Sequence, residues 1–274
     1  MTPLRLLDER PGPPQLPLPE ELRRLYGGGL GFDGPRVVAN FVQTIDGVVA
    51  LPDVPRSNAL IAGGSPADRF VMGLLRACAD AIVVGAGTMR GSPRGTWRAD
   101  RAYPDAADAF AELRTGRSDH AEVVFVTAGS TLDPAHPVLE SGAVVLTTAA
   151  GKGELRRRVP AATEVVAVND GSLVDLRLAF GFLAERGHRL ILTEGGPRLF
   201  SELLALGLVD ELFLTVSPLL AGRGPEPALS LAEGSRLLPD VRVEAEVLSL
   251  RSGGEHLFLR YGISSLVTTG PTRS

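Results

Sequence analysis

Four short apolar runs constrain this chain most: VVANFV (37–42), AIVVGA (81–86), VVFVT (123–127) and LILTE (190–194). A strand with one wet face alternates apolar and polar residues; these runs do not. They read as strands covered on both faces, the signature of a parallel sheet flanked by helices. Strands are expected at 36–42, 80–85, 122–127, 143–148, 164–168, 189–193, 211–217, 242–250 and 256–261. Helices are expected between them at 66–77, 104–115, 153–158, 173–186 and 197–206. The last two strands, RVEAEVLSL and HLFLRY, flank a Gly-Gly pair and read as an antiparallel hairpin.

The length of 274 residues suits one large α/β domain or two small ones. The Pro- and Gly-rich residues 1–35 read as an extended arm with a short helix near 20–26, where PLPEELRRLY places Pro and two acids at a helix start. Residues 36–262 are expected to form a single domain and 263–274 a flexible tail. A net charge of −4 argues against a nucleic-acid surface. No apolar run approaches the roughly 18 to 20 residues of a membrane span, and the N-terminus lacks a signal-peptide core. A cytoplasmic protein is expected. One Cys and four His leave no pattern for a structural zinc site, and no metal is expected. Cys78 reads as a small buried hydrophobe.

Three segments offer chemistry. In the first, a strand runs into Thr44-Ile45-Asp46-Gly47. Asp-Gly is a turn signal, and Asp46 can simply cap its own backbone. It can also stand at the mouth of a ligand crevice with Asn40, Gln43 and Thr44, since an amide inside an apolar strand needs partners. In the second, a buried strand ends in Gly85-Ala86-Gly87-Thr88. This is either a tight strand-to-helix turn or a place where backbone N–H groups meet a phosphate. The complete dinucleotide fingerprint is missing, because Arg90 stands at its third position. In the third, Thr193-Glu194 ends a strand and Gly195-Gly196-Pro197 opens a helix, a setting for an anion above backbone N–H groups. Glu194 would be costly if buried unpaired.

Taken in order, Thr44-Ile45-Asp46-Gly47, RACADAIVVGAGT (76–88), and Thr193-Glu194-Gly195-Gly196-Pro197 with VDEL (209–212) and Ser217-Pro218 resemble the reductase domain of riboflavin biosynthesis. That pyrimidine reductase, found in the bifunctional deaminase/reductase, belongs to the dihydrofolate-reductase-like superfamily. The resemblance covers residues 35 to 262. It implies a three-layer α/β fold, with a mostly parallel central sheet, helices on both faces and the C-terminal antiparallel hairpin. It also implies NADPH, and hydride transfer to the ribosylamino group of a 5-amino-6-(5-phosphoribosylamino)pyrimidine, giving the ribitylamino product.

Carried over residue by residue, the resemblance makes Thr88, Thr127, Ser130, Gly195, Gly196, Pro197, Arg198 and Leu199 cofactor contacts, to which the Gly-x-Gly turn adds Gly85 and Gly87. Arg76, Arg98 and Glu194 become substrate contacts, with Arg98 a phosphate ligand, and the strand-end polar groups Asn40 and Thr44 join them at the crevice mouth. Asp46 and then Glu194 are the candidates for proton donor or orienting acid. Arg90, Arg94 and Ser130 are plausible partners for the cofactor's 2′-phosphate. The chain departs from the family at Val48, where Lys is common, and at Ser92-Pro93, where an acidic loop is usual. The family's deaminase domain needs a Cys/His zinc site that one Cys cannot supply. A phosphorylated pyrimidine is the expected small-molecule partner and a homodimer the expected assembly, by analogy with relatives. Two alternatives stay open: a dihydropterin- or dihydrofolate-type reductase on this fold, and an NADPH-binding regulatory protein without turnover.

Overall fold

The computed structural model describes residues 1–12, 15–52, 54, 56–129 and 131–268, with side chains described through 264. In chain order the elements are β1 (Arg5–Glu9), α1 (Glu20–Tyr26), β2 (Arg36–Gln43), α2 (Ser57–Ile61), α3 (Pro66–Cys78), β3 (Ala81–Gly85) and α4 (Ala86–Gly91). Next come α5 (Ala99–Ala102), α6 (Ala107–Leu113), β4 (Glu122–Val126), β5 (Val144–Thr148), α7 (Ala149–Leu155), β6 (Glu164–Asn169) and α8 (Leu176–Glu185). The chain closes with β7 (Leu190–Thr193), α9 (Pro197–Ala205), β8 (Glu211–Val216), β9 (Val241–Gly253) and β10 (His256–Thr268). Two compact units result: Met1–Met72 with Pro197–Ser274, and Gly73–Gly196.

The second unit is purely parallel, with strand order β7-β3-β4-β5-β6. Every residue of β5, and all of β3 and β4 except Gly85 and Glu122, is buried, as the unalternated apolar runs require. Arg114, 4% exposed, donates to the carbonyls of Ala77 and Ala79 at 2.9 and 2.8 Å, at the C-terminal end of α3. A cation there satisfies carbonyls that the helix end leaves free.

In the first unit the order is β1-β9-β10-β8-β2, parallel at β2–β8 and antiparallel elsewhere. The molecule is thus a mixed α/β protein whose C-terminal strands are antiparallel. The β9–β10 turn lies at Gly254, whose φ of +59° suits glycine. A Cβ on Gly253 would come within 2.6 Å of Leu4, so that position too is closed to larger residues.

Several boundaries moved for local reasons. The helix expected at 153–158 begins at Ala149, because Thr148 ends β5 and its hydroxyl accepts from the Gly151 N–H at 3.1 Å. Asp175 caps α8 by accepting from Arg177 and Leu178, which trims the helix expected from 173. Residues 104–115 split into a 3₁₀ turn at Pro104–Ala106 followed by α6. Residues 5–9, expected in an extended arm, form β1 against β9. Leu4, Leu22, Leu25, Tyr26 and Leu30 are buried. Arg251, 1% exposed, ties this segment down by donating to Tyr26 O, Ser249 Oγ and Glu9 Oε1 at 3.0, 2.8 and 2.7 Å. Its guanidinium also lies over the Tyr26 ring at 4.1 Å. Burial pushes the Tyr26 hydroxyl above its usual pKa. Of the expected tail, residues 263–268 continue β10, and 269–274 lie outside the described residues.

Candidate active site

In the first unit, β2 delivers the Thr44–Val48 turn. Thr44 N donates to Val48 O at 3.0 Å, Gly47 N to Thr44 O at 3.0 Å, and Gly47 takes φ +83°. Thr44 is 2% exposed; its hydroxyl accepts from Val48 N and donates to Asp46 Oδ1 at 2.5 Å. Asp46 accepts in addition from the backbone N–H groups of Ala221 and Gly222 at 3.1 and 2.8 Å. These donors hold its carboxyl pKa at about 2, the Thr44 bond first among them. With the Thr44 hydroxyl and two backbone N–H groups aimed at it, Asp46 stands here as a hydrogen-bond acceptor. Val48, where the family commonly has Lys, is fully buried. Asn40 is half-buried on β2 in register with Phe213 of β8, and its side chain makes no hydrogen bond among the described residues. Pro197, Arg198 and Leu199 form the first turn of α9, with Pro197 buried and Arg198 exposed.

In the second unit, β3 and β7 are parallel neighbours, Val83 standing opposite Thr193, so their carboxyl ends lie side by side. Glu194 N donates to Val83 O at 3.2 Å, and the Thr193 hydroxyl bonds Val83 O and accepts from Gly195 N, each at 3.3 Å. This pairing brings two of the three segments together. A Cβ added to Gly196 would lie 3.3 Å from Thr88 Oγ1. At Gly87 the nearest atom would be Arg90 Nη2, 3.9 Å away. Gly85 is the residue before α4, at an ordinary φ of −81°. Close approach, and not backbone strain, is what small residues provide here.

Arg76 and Glu194, both expected to meet substrate, meet each other. Arg76 Nε and Nη2 donate to Glu194 Oε1 and Oε2 at 2.9 and 2.6 Å, with side chains only 12% and 10% exposed. The fork-to-fork geometry removes the cost of burying an unpaired acid. Arg98 donates from Nε to Asp100 Oδ1 at 3.0 Å and is 41% exposed. Arg90 donates to Thr131 O at 2.7 Å. Neither Arg90 nor Arg94 has a carboxylate partner among the described residues.

Thr127 is buried and turned inward: its hydroxyl bonds Thr131 Oγ1 at 3.1 Å and accepts from Gly129 N at 3.2 Å. Ser130 lies outside the described residues. Trp97 and His136 were not singled out by sequence, yet Trp97 lies in the loop that carries Arg94 and Arg98, and His136 packs against that loop. A lone Trp between two arginines and an isolated His carry no spacing signal that would have marked them. Among the described residues no group of three His, Cys, Asp or Glu side chains could hold a metal, and no helix is long and apolar enough to cross a membrane.

Residues 35–254 match the family described as the RibD C-terminal domain. The chain belongs to that family. A 2,5-diamino-6-ribosylamino-4(3H)-pyrimidinone 5′-phosphate reductase of Archaeoglobus fulgidus is 28% identical over 225 residues, covering 77% of this chain and 91% of its relative. Among solved structures, a pyrimidine reductase-like protein from Corynebacterium diphtheriae superposes with a TM-score of 0.66 at 24% identity, over 84% of this chain and 92% of that one. RibD of Acinetobacter baumannii gives a TM-score of 0.62 at 16% identity, over 89% of this chain and 60% of that one. These two likenesses bear on the fold. Family membership matches the resemblance drawn from the three segments, and with it the expectation of an oxidoreductase.

Proposed function

We propose that the protein is an NADPH-dependent reductase of a phosphorylated ribosylaminopyrimidine, converting the ribosylamino group to ribitylamino. The observation that carries this reading is the juxtaposition, in a RibD C-terminal domain, of the Thr88–Gly196 approach with the Arg76–Glu194 pair at the adjoining ends of β3 and β7. The Archaeoglobus relative's name supplies the substrate class.

The second unit suits the cofactor. Gly87 leaves open space, Gly196 bears no Cβ to narrow its approach to Thr88, and Arg90 and Arg94 are guanidinium groups without a carboxylate partner among the described residues. Backbone that approaches this closely, beside guanidinium groups with no carboxylate partner among the described residues, suits a pyrophosphate and a 2′-phosphate. Gly85, Gly87, Thr88, Gly195 and Gly196, all in this unit, would hold it. When bound, NADPH supplies the hydride; the chain's residues orient the acceptor and exclude water. Both oxygens of Glu194 accept from Arg76, so Glu194 acts through an oriented carboxylate–guanidinium pair. With both oxygens of Glu194 engaged by Arg76, the proton that accompanies hydride transfer comes from solvent or from the substrate itself. A cytoplasmic homodimer completes the reading. Sizing of the purified protein tests that part.

The deciding assay follows absorbance of reduced nicotinamide with the 2,5-diamino pyrimidinone phosphate and, separately, with its deaminated counterpart. Oxidation of NADPH with either compound is expected, and the faster one tells which the enzyme receives. Tight NADPH binding without oxidation by either would remove the pyrimidine reading.

A further inference from the structure

Trp97 and His136 take no part in the chemistry above, yet they are 4% and 2% exposed. Trp97 belongs to a loop, Ser92 to Arg98, whose path is unusual. Ser92-Pro93-Arg94-Gly95 closes a β-turn, Gly95 N donating to Ser92 O at 2.7 Å, with Pro and Gly at the positions such turns favour. Trp97 then adopts φ +51°, a left-handed conformation that bulky residues avoid unless surrounding contacts enforce it. The enforcing contacts are visible. The indole meets Phe125 of β4 edge-on, with ring centroids 5.4 Å apart at 82°, and lies 5.8 Å from the His136 ring. The Val138 N–H can only donate, so His136 Nδ1 accepts it, at 3.3 Å. The ring proton then sits on Nε2 and is donated to Ser92 O at 2.9 Å. Ser92 O thus accepts from both the turn and the histidine.

The loop so held carries Arg94, exposed and without a carboxylate partner among the described residues, and Arg98, held through Nε by Asp100. At its far end Arg98 O stands 3.5 Å from Arg76 Nη1, which links the loop to the Arg76–Glu194 pair. Guanidinium groups bind a phosphomonoester well only when their planes are fixed beforehand, because ordering long side chains and their backbone costs binding free energy. We propose that Trp97 and His136 form a latch that fixes the Ser92–Arg98 loop, and that they are positioning residues for recognition of the substrate's phosphomonoester end. This rests on the reductase reading.

The test compares kcat/KM for the phosphorylated ribosylaminopyrimidine and for its dephosphorylated counterpart, with NADPH saturating. His136→Ala removes the donor to Ser92 O, whereas His136→Gln keeps an N–H donor at the end of the side chain. Gly95→Ala deletes nothing, but its Cβ would stand 2.9 Å from the Trp97 ring and 3.1 Å from Ser92 O, so it pushes the latch open and guards against a fold lost in His136→Ala. The expected result is a loss of roughly tenfold or more with the phosphorylated substrate in His136→Ala and Gly95→Ala, the scale of a catalytic-site misplacement of under about 1 Å. The loss falls in KM, is near absent for the dephosphorylated compound, and is largely rescued in His136→Gln. Folded Gly95→Ala and His136→Ala proteins that keep the wild-type preference for the phosphate would overturn the latch. An equal loss on both substrates would also overturn it, because it marks a merely structural role. Absence of NADPH oxidation by the wild type with either compound would overturn the reductase reading and the latch with it.

Discussion

Replacing Glu194 by Gln removes one charge from the Arg76 pair while leaving size and one acceptor oxygen. Two unit charges about 4 Å apart in a medium of effective dielectric about 20 attract by about 4 kcal/mol. With side chains 12% and 10% exposed, the pair is close to the buried limit. There, loss of one partner typically costs about 3–5 kcal/mol, because the other charge stays behind. Gln still accepts one of the two bonds, so a loss of about 2–3 kcal/mol is expected. In a chain of this size that lowers the melting temperature by about 4–9 °C, at roughly 2–3 °C per kcal/mol. Turnover with the pyrimidine should fall well beyond what the melt explains, while the NADPH dissociation constant stays within about twofold, since this pair is assigned to substrate and not to cofactor. The double change Arg76→Met with Glu194→Leu separates the two roles. Apolar residues of similar volume often restore the stability of a lost buried pair, but they offer the substrate nothing. Recovery of the melt without recovery of turnover is the expected pattern. Full turnover in Glu194→Gln, or turnover restored by the apolar double variant, would refute the reasoning and leave the pair a structural brace.

Three further outcomes follow from the geometry. Gly196→Val adds a branched side chain where a single Cβ already lies 3.3 Å from Thr88 Oγ1, so the NADPH dissociation constant should rise by roughly tenfold or more; fluorescence titration reads it, and an unchanged value removes Gly196 from the cofactor site. Asp46 has a folded-state pKa of about 2, below its unfolded value, so its stabilising effect is complete above that unfolded value and fades as pH falls toward 2. The melting difference between wild type and Asp46→Asn should accordingly be flat from pH 8 to 5 and shrink below about pH 4; a difference that grows on acidification would contradict the sign. Arg251→Met removes the cation joining Glu9, Ser249 and the Tyr26 carbonyl, at a cost of about 3 kcal/mol. Faster trypsin cleavage near Arg5 and Arg10 is expected, and an unaltered digest would show that β1 holds by strand pairing alone.

Much of the framework could be read from local chemistry. Strands buried on both faces must be apolar throughout, so β3, β4 and β7 stand out as unbroken runs; β2 reads the same way, yet most of its residues are only half-buried. Gly254 and Gly47 mark their turns because their positive φ values favour glycine. The order of three short segments was enough to point to the family. What local pattern could not supply is partnership over distance. Arg76 and Glu194 are 118 positions apart, and nothing near either says that each will satisfy the other. RLLDE shows little strand periodicity; it becomes β1 because β9 offers an unpaired edge and Arg251 needs Glu9. Asp46 reads equally as turn cap or catalytic acid until Ala221 and Gly222 aim their N–H groups at it. His136 is silent in the sequence until its Nε2 meets Ser92. Period and turn chemistry depend on neighbours along the chain and are therefore written in it. Ion pairs, buried donors and carboxyl pKa values depend on neighbours in space, and only the packed tertiary structure decides those.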